Sequence, residues 1–283
     1  MRGLLSLPDV LIDPVVRHAL AEDLGRAGDI TTAAIVPSDC TLATALVARE
    51  AGVVAGLDCA RRSFELVDAT LACETLAAEG RMVAAGDILM RVSGAAGAIL
   101  AAERVALNLL CRQSGIASAT AKLVACVQAY DVGVTCTRKT TPGLRVLEKR
   151  AVRAGGGRNH RFGLDDAILI KDNHIAAAGG IDVAMSRARQ AAGHLVKIEI
   201  EVDTLDQLAA ALPWKPDAVL LDNMSPETLR RAVEMAARTT VLEASGGVTL
   251  DSAPAIAATG IDLISAGWLT QGAPALDIGL DVT

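Results

Sequence analysis

The sequence is poor in aromatic residues, and this scarcity excludes one class of function. Its 283 residues include two Phe, two Trp and one Tyr. Proteins that bind single-stranded nucleic acid stack the bases on aromatic side chains, so we expect no such binding here. Hydrophobic residues nevertheless make up 52% of the chain, which predicts a globular protein with an aliphatic core of Ala, Val, Leu and Ile.

The sequence also lacks the marks of a membrane or secreted protein. No apolar run approaches the roughly 18 residues that a membrane span requires. The N-terminal stretch carries Asp9 and Asp13 and has no small-residue cleavage site, which argues against a signal peptide. A net charge of −6 gives the whole molecule no affinity for polyanions. We therefore expect a cytoplasmic protein that binds neither membrane nor nucleic acid.

The six cysteines show no metal-binding or disulfide spacing. None forms a C-x-x-C pair, and no His lies at a zinc-type distance along the chain. Reduced thiols, most of them buried as small hydrophobic groups, are the expected state. Cys136 adjoins a polar segment, but a lone cysteine without a poised base does not predict a nucleophile.

The first 113 residues have a mixed helix and strand pattern. A helix is predicted over Leu11–Leu24, and strands are predicted in TLATALVARE and GVVAGL. The segment GRMVAAGDILMRVSG has the alternation and the Gly-Asp turn of a hairpin. A long helical pattern starts at Ala98, with an expected break near Ser114–Gly115.

After about residue 130, short apolar runs alternate with helical patterns such as TLDQLAAAL and SPETLRRAVEMAAR. Six runs end near residues 138, 171, 201, 222, 245 and 266: VGVTCTRK, AILIKDN, VKIEIEV, DAVLLDN, TVLEASGG and IDLISAG. This alternation is typical of βα units in a parallel sheet, and six in succession favour an α/β barrel. Polar residues at the carboxyl ends of the strands would then meet on one face, where barrel enzymes carry their chemistry.

Basic residues are concentrated in one segment. Residues 137–171 carry a net charge of +6 and the remainder of the chain −12. A helix with solvated Arg150 and Arg153 on its outer face explains part of this excess. Other basic residues lie at predicted strand ends or in glycine-rich turns, where they could bind a small, highly anionic substrate. They are Arg138, Lys139, His160, Arg161 and Lys171.

Glycine-rich turns and acidic strand ends complete the candidate site. The loop AGGGRNHRFGL favours substrate binding, and the turns Ser245-Gly246-Gly247 and Ser265-Ala266-Gly267 could offer backbone amides to a phosphate. Glu199 could form an internal ion pair with Lys197. Glu201 and Asp222 are better candidates for holding Mg²⁺ or facing a developing positive charge.

Together these segments resemble the quinolinate phosphoribosyltransferase family. The resemblance covers nearly the whole chain and is carried by EDLGRAGDITT, ERVALNLLCRQSGIAS, TRKTTPGLRVLEKRAVRAGGG, NHRFGLDDAILIKDNHI, EIEVDTLDQL, LLDNMS, EASGGV and TGIDLIS. It implies an N-terminal α/β sandwich domain, 1–113, joined by the tail 271–283. It further implies an incomplete α/β barrel of fewer than eight strands, 114–270, and a homodimer or hexamer.

The resemblance also implies roles for individual residues. Lys139, Glu201 and Asp222 would be catalytic, and the last two would hold Mg²⁺. Arg104, which its helical position alone would leave as a surface residue, would reach a neighbouring active site. The other implied substrate-binding residues are Thr137, Arg138, Lys139, His160, Arg161, Lys171, Ser245, Gly246, Gly247, Ser265, Ala266 and Gly267. The chain departs from the family at Gln271, where His is common and where Gln cannot supply a cation.

The implied reaction transfers phosphoribosyl from 5-phosphoribosyl 1-diphosphate to quinolinate with decarboxylation, a step of NAD biosynthesis. One alternative is a molybdenum-transport-associated paralogue of the same fold that acts on another anionic acceptor. NHRFGL and LIKDNHI favour the quinolinate enzyme over that paralogue. The second alternative is a non-catalytic anion-binding protein, which the retention of Glu201, Asp222 and the basic set disfavours.

Overall fold

The computed structural model describes residues 7–283 and divides the chain into two compact units. The first unit contains residues 1–121, 140–156 and 270–283, and the second contains residues 122–139 and 157–269. Packing therefore assigns residues 114–121, 140–156 and 270 to the first unit, although the predicted bounds of 114–270 include them in the barrel.

The first unit is built on a four-stranded antiparallel sheet. Its strands are β1 (Thr41–Ala48), β3 (Ala72–Thr75), β5 (Ile88–Ala95) and β12 (Ile278–Val282), in the order β12-β1-β5-β3. The C-terminal strand enters this sheet through pairs such as Ala48 with Ile278. A separate two-stranded ladder joins β2 (Gly52–Val53) to β4 (Met82–Val83).

Within residues 7–283, five helices belong wholly or largely to the first unit. They are α1 (Asp9–Leu24), α2 (Ile30–Ile35), α3 (Leu57–Val67), α4 (Ala96–Val127, as far as residue 121) and α5 (Arg145–Ala154). In α1, Ile12, Val16 and Leu20 recur every four residues and therefore share one face, which is buried in an aliphatic cluster. Asp29 caps α2 by accepting the backbone N–H of Thr32 at 2.9 Å.

Two local predictions for this unit are wrong. The expected hairpin has its turn near Gly86, but its two arms pair elsewhere: β4 with β2, and β5 with β1 and β3. The helix α4 runs without a break through Ser114 and Gly115. Ser114 keeps its helical conformation, and its hydroxyl accepts the Ala55 N–H, a backbone donor outside the helix, at 3.0 Å.

The prediction of a solvated outer face on α5 holds for Arg153 and is wrong for Arg150. Arg150 is buried and its guanidinium lies 2.9 Å from a carboxylate oxygen of Asp58 and 3.5 Å from one of Glu79. Glu148 is also buried and accepts hydrogen bonds from Arg112 and Thr141. Charged residues of α5 thus form interior ion pairs, since a buried charge requires a partner.

The second unit contains six parallel strands, which confirms the barrel prediction. They are β6 (Gly133–Thr135), β7 (Ile168–Ile170), β8 (Ile198–Val202), β9 (Ala218–Asp222), β10 (Val241–Ser245) and β11 (Leu263–Ser265). Their order is β6-β11-β10-β9-β8-β7, and within residues 7–283 no ladder joins the end strands β6 and β7. The barrel is thus incomplete, with fewer than eight strands.

Helices lie between or after the strands of the second unit. They are α6 (Asp172–Ala178), α7 (Ile181–Ala191), α8 (Leu205–Ala211), α9 (Pro226–Ala236), α10 (Ala253–Ala257) and α11 (Trp268–Gln271), with a short 3-10 helix at Leu212–Trp214. Thr204 and Ser225 cap α8 and α9 by accepting backbone N–H groups. Across residues 7–283, every helix is too short or too polar to cross a bilayer.

Candidate active site

The carboxyl ends of the parallel strands surround a cavity of about 390 Å³. Every strand of the second unit contributes to its wall, either within the strand or in the residues that follow it. The cavity is lined by Thr137, Arg138, Lys139, His160, Arg161, Leu169, Lys171, Glu201, Leu220, Asp222, Glu243, Ser245 and Ser265. Parallel strands present their carboxyl ends at one face, so residues far apart in sequence converge there.

Ten of the fifteen predicted site residues line this cavity. The other five do not: Arg104, Gly246, Gly247, Ala266 and Gly267. Arg104 is exposed on α4 in the first unit. Ala266 is buried, and its backbone N–H donates to the Thr135 carbonyl at 3.1 Å, so this amide is not available to a phosphate.

Four cationic side chains give the cavity its character as an anion site: Arg138, Lys139, Arg161 and Lys171. Burial lowers the pKa of Arg161, and the nearby charge of Arg138 lowers it further. Arg161 is held in place by a hydrogen bond from Nη1 to the Ala167 carbonyl at 3.0 Å. Like charges brought together at a partly buried site are stabilised when an anion lies between them.

The acidic side of the cavity is formed by Glu201 and Asp222, which end neighbouring strands. Glu201 accepts a hydrogen bond from Lys171 Nζ at 2.5 Å, and Asp222 accepts one from Asn223 Nδ2 at 2.7 Å. Each bond engages one oxygen of its carboxylate. The site therefore combines oxygen ligands suited to a hard divalent cation with cations suited to an anionic substrate.

Glu199 and Glu243 are acidic residues whose role the sequence reasoning missed. Glu199 pairs with His160, whereas Lys197 pairs with Asp217, so the expected Lys197–Glu199 ion pair is wrong. Glu243 is buried on β10 and lines the cavity. The alternation that places Glu199 and Glu201 on one face of β8 also places Glu243 with Ser245 on one face of β10, and this signal could have identified it.

The turn after β10 requires glycine at one position. Gly246 has a φ of +88°, and a Cβ there would lie 2.2 Å from Asn223 Oδ1 and 2.9 Å from the Asn223 backbone nitrogen. Gly247 has a φ of +59° but has open space around the corresponding position. The close approach of Gly246 to Asn223 therefore sets the position of the loop beside Asp222.

We expect Gly246→Ala to lower kcat/KM by about tenfold or more, since displacing Asn223 moves Asp222 away from its working position. Gly260→Ala is the matched control, because Gly260 has the same φ of +88° outside the cavity and its added Cβ would meet only Val233 Cγ1 at 3.5 Å, so the change adds mainly the left-handed strain of about 1 kcal/mol. Steady-state kinetics and thermal unfolding of both variants test this expectation. Equal losses of activity in the two variants would contradict it.

Fold and site together define the class of the protein: an α/β-barrel enzyme with a cationic and acidic cavity for anionic substrates. The chain matches the quinolinate phosphoribosyl transferase C-terminal domain over residues 116–281 and the N-terminal domain of the same family over residues 29–114. The chain belongs to the quinolinate phosphoribosyltransferase family.

Similar proteins include relatives in several organisms. The chain is 44% identical to the probable nicotinate-nucleotide pyrophosphorylase [carboxylating] of Bacillus subtilis (strain 168), over 95% of this chain and 92% of the relative. It is also 44% identical to the nicotinate-nucleotide pyrophosphorylase [carboxylating] of Mycobacterium leprae (strain TN), over 94% and 95%. The solved nicotinate-nucleotide pyrophosphorylase of Francisella tularensis has a TM-score of 0.94 at 38% identity, covering 100% of both chains.

Proposed function

We propose that this protein transfers phosphoribosyl from 5-phosphoribosyl 1-diphosphate to quinolinate and releases nicotinate mononucleotide, diphosphate and CO₂. The observation that carries this proposal is the composition of one cavity, in which four cationic side chains face Glu201 and Asp222. A dicarboxylate and a phosphorylated sugar need the cations. A sugar centre that becomes positively charged needs the carboxylates.

Quinolinate is positioned by the guanidinium groups of the cavity. Arg138 and Arg161 can each offer a planar pair of N–H donors to a carboxylate, and Lys171 can add a point charge. Because quinolinate carries two carboxylates, binding compensates the repulsion between Arg138 and Arg161. Fixing both carboxylates also directs the ring nitrogen towards the sugar.

In the transfer step, the ring nitrogen attacks the anomeric carbon while the bond from that carbon to the diphosphate oxygen breaks. Positive charge develops on the sugar as it passes through an oxocarbenium-like transition state. Glu201 and Asp222 stabilise this charge electrostatically. Lys139 neutralises charge that develops on the departing diphosphate.

In the decarboxylation step, the ring nitrogen has become cationic. The bond between the adjacent ring carbon and its carboxylate breaks, CO₂ leaves, and the electron pair stays on the ring carbon. The neighbouring cationic nitrogen stabilises that pair until the carbon takes up a proton. The protein contributes by holding the ring in place during this step.

Glu201 and Asp222 are also the proposed Mg²⁺ ligands. Mg²⁺ in phosphoryl-substrate sites takes one or two carboxylates and completes its shell with substrate phosphates and water, and each of these residues has one oxygen outside its hydrogen bond to Lys171 or Asn223. The donor set therefore fits the ion. When bound, Mg²⁺ would neutralise part of the charge on diphosphate.

The 5-phosphate is assigned to the turn after β10 and to the hydroxyl group of Ser265, the last residue of β11. Ser245 and Ser265 line the cavity, and the Ser245 carbonyl accepts the Asn223 N–H at 2.9 Å, which orders the turn after β10. Gly246 and Gly247 both have positive φ, a conformation that can turn backbone amides towards an anion. Gln271, where the family commonly has His, would offer a neutral amide in place of a cation.

An assembly of two or six chains is part of the proposal, with Arg104 contributing to a neighbouring site. Arg104 is exposed and forms no hydrogen bond or ion pair with the described part of the chain, residues 7–283. A cytoplasmic location is supported by the six cysteines, all of which are free thiols.

The test is an assay at fixed Mg²⁺ that follows consumption of 5-phosphoribosyl 1-diphosphate with quinolinate or nicotinate as acceptor. We expect turnover with quinolinate alone, with release of CO₂ and nicotinate mononucleotide.

We expect Arg138→Ala to lower kcat/KM for quinolinate about 100-fold, since a charge-assisted bidentate contact is lost. No turnover by folded wild-type protein would favour the paralogue or the non-catalytic alternative, and full activity of Arg138→Ala would refute the assignment of this pocket.

A further inference from the structure

The barrel interior beneath the cavity holds three ionisable side chains in mutual contact: His160, Glu199 and Glu243. Their potential ligand atoms all lie within 4.8 Å of one another. The exposed fractions of the side chains are 10%, 13% and 3%, respectively. Charges so deeply buried are costly unless their hydrogen bonds are arranged to satisfy them, so the arrangement needs a physical explanation.

Hydrogen bonds define where the proton of the His160 ring lies. Nδ1 accepts the backbone N–H of Arg161 at 2.8 Å, so this nitrogen carries no proton. The proton of the neutral ring therefore lies on Nε2, which is 2.9 Å from Glu199 Oε2. Both nitrogens thus have partners within the protein, and neither is directed to a ligand in the cavity.

The same arrangement argues against a metal ion between these three residues. A metal would need a lone pair on Nε2, while Nδ1 already receives an N–H donor. The ring would then carry no proton on either nitrogen and would be an imidazolate anion beside two carboxyl groups. A direct hydrogen bond from Nε2 to Glu199 is the arrangement consistent with the geometry.

Glu243 is the third member of the cluster. Its Oε1 is buried, has no hydrogen-bond partner among residues 7–283, and lies 3.8 Å from His160 Nε2. Burial raises the pKa of Glu243 to about 7, and the charge of Glu199 contributes to the increase. The raised pKa means that Glu243 is protonated more readily than a free glutamate, which reduces its repulsion with Glu199.

We propose that Glu199 and Glu243 are positioning residues for His160, which they hold with Nε2 turned inward so that the ring forms a neutral wall of the substrate cavity. Glu199 accepts the Nε2 proton at 2.9 Å, and Glu243 lies 3.8 Å from the same nitrogen. The ring carbons of His160 then border the pyridine ring of quinolinate, while the arginines bind its carboxylates. This role rests on the proposed function.

The position of the proton can be measured directly by ¹⁵N NMR of histidine side chains. The chain has four histidines, so a His160→Asn variant assigns the signals of His160 by their loss. We expect a protonated Nε2 and an unprotonated Nδ1 in the wild type. A protonated Nδ1 in the wild type would overturn the proposal.

Substitutions at Glu199 test the positioning role. Glu199→Leu removes the acceptor of the Nε2 proton, so we expect the His160 ring to rotate, to lose the hydrogen bond from the Arg161 N–H and to mix its two tautomers. We expect this movement to raise KM for quinolinate about tenfold or more. KM for 5-phosphoribosyl 1-diphosphate should stay nearly unchanged. Glu199→Gln retains an accepting oxygen and should restore the Nε2-protonated ring and most of the quinolinate affinity.

Glu234 on α9 is exposed and offers the matched control, Glu234→Leu, for the loss of a carboxylate. The proposal would be overturned if folded Glu199→Leu kept both the wild-type tautomer of His160 and the wild-type KM for quinolinate. It would also be overturned if Glu199→Gln failed to restore the tautomer or that KM. Absence of quinolinate turnover by the wild type would instead refute the proposed function, while the NMR measurement would still decide how His160 is held.

Discussion

Gly115→Ala is expected to destabilise the protein by about 3 kcal/mol or more, a cost at the upper end of overpacking a buried site. Gly115 lies in the middle of α4, where alanine would ordinarily favour the helix by about 1 kcal/mol. Here a Cβ would lie 1.9 Å from the Pro274 carbonyl oxygen and 2.9 Å from the Ala275 Cα. These contacts are with backbone, so rotation of a side chain cannot relieve them.

Gly97→Ala is the control on the same helix. Its added Cβ would meet only the Thr32 methyl at 3.5 Å, an ordinary van der Waals distance. We expect its unfolding midpoint in urea or on heating to equal or exceed that of the wild type. If Gly115→Ala were as stable as Gly97→Ala, the close packing of residues 274 and 275 on α4 would be wrong.

Asp222→Asn is expected to lower kcat by about 100- to 1000-fold, the range found when one group that stabilises transition-state charge is removed. The substitution keeps the size of the side chain and removes its negative charge at the carboxyl end of β9. Asp222 lines the cavity and is half-buried, so solvent only partly screens its charge. Its loss would also remove one of the two proposed Mg²⁺ ligands.

The measurement is kcat at saturating concentrations of both substrates and over a range of Mg²⁺ concentrations. Asp206→Asn supplies the control, since Asp206 is an exposed residue in the first turn of α8. We expect normal kcat in the control and unchanged thermal unfolding in both variants. An unaltered kcat in Asp222→Asn would exclude Asp222 from stabilising the charge of the transition state.

The sequence alone determined the elements that follow local rules. All six barrel strands were predicted near their observed positions, because each is a short run rich in apolar residues and bounded by polar or glycine residues. The rule that parallel strands present their carboxyl ends together was enough to bring Arg138, Lys171, Glu201 and Asp222 to one cavity. Periodicity and topology thus fixed which residues face the site.

Only the tertiary structure decided the partners of individual groups. The two arms of the expected hairpin pair with other strands, because the turn sequence specifies a reversal but not which edges are available. The sequence suggests a helix break at Gly115, whereas the structure shows an unbroken helix with the Pro274 backbone so close that a Cβ would not fit. Glu199 binds His160 rather than Lys197, because electrostatic partners in a barrel interior are set by distances across strands that no local pattern encodes.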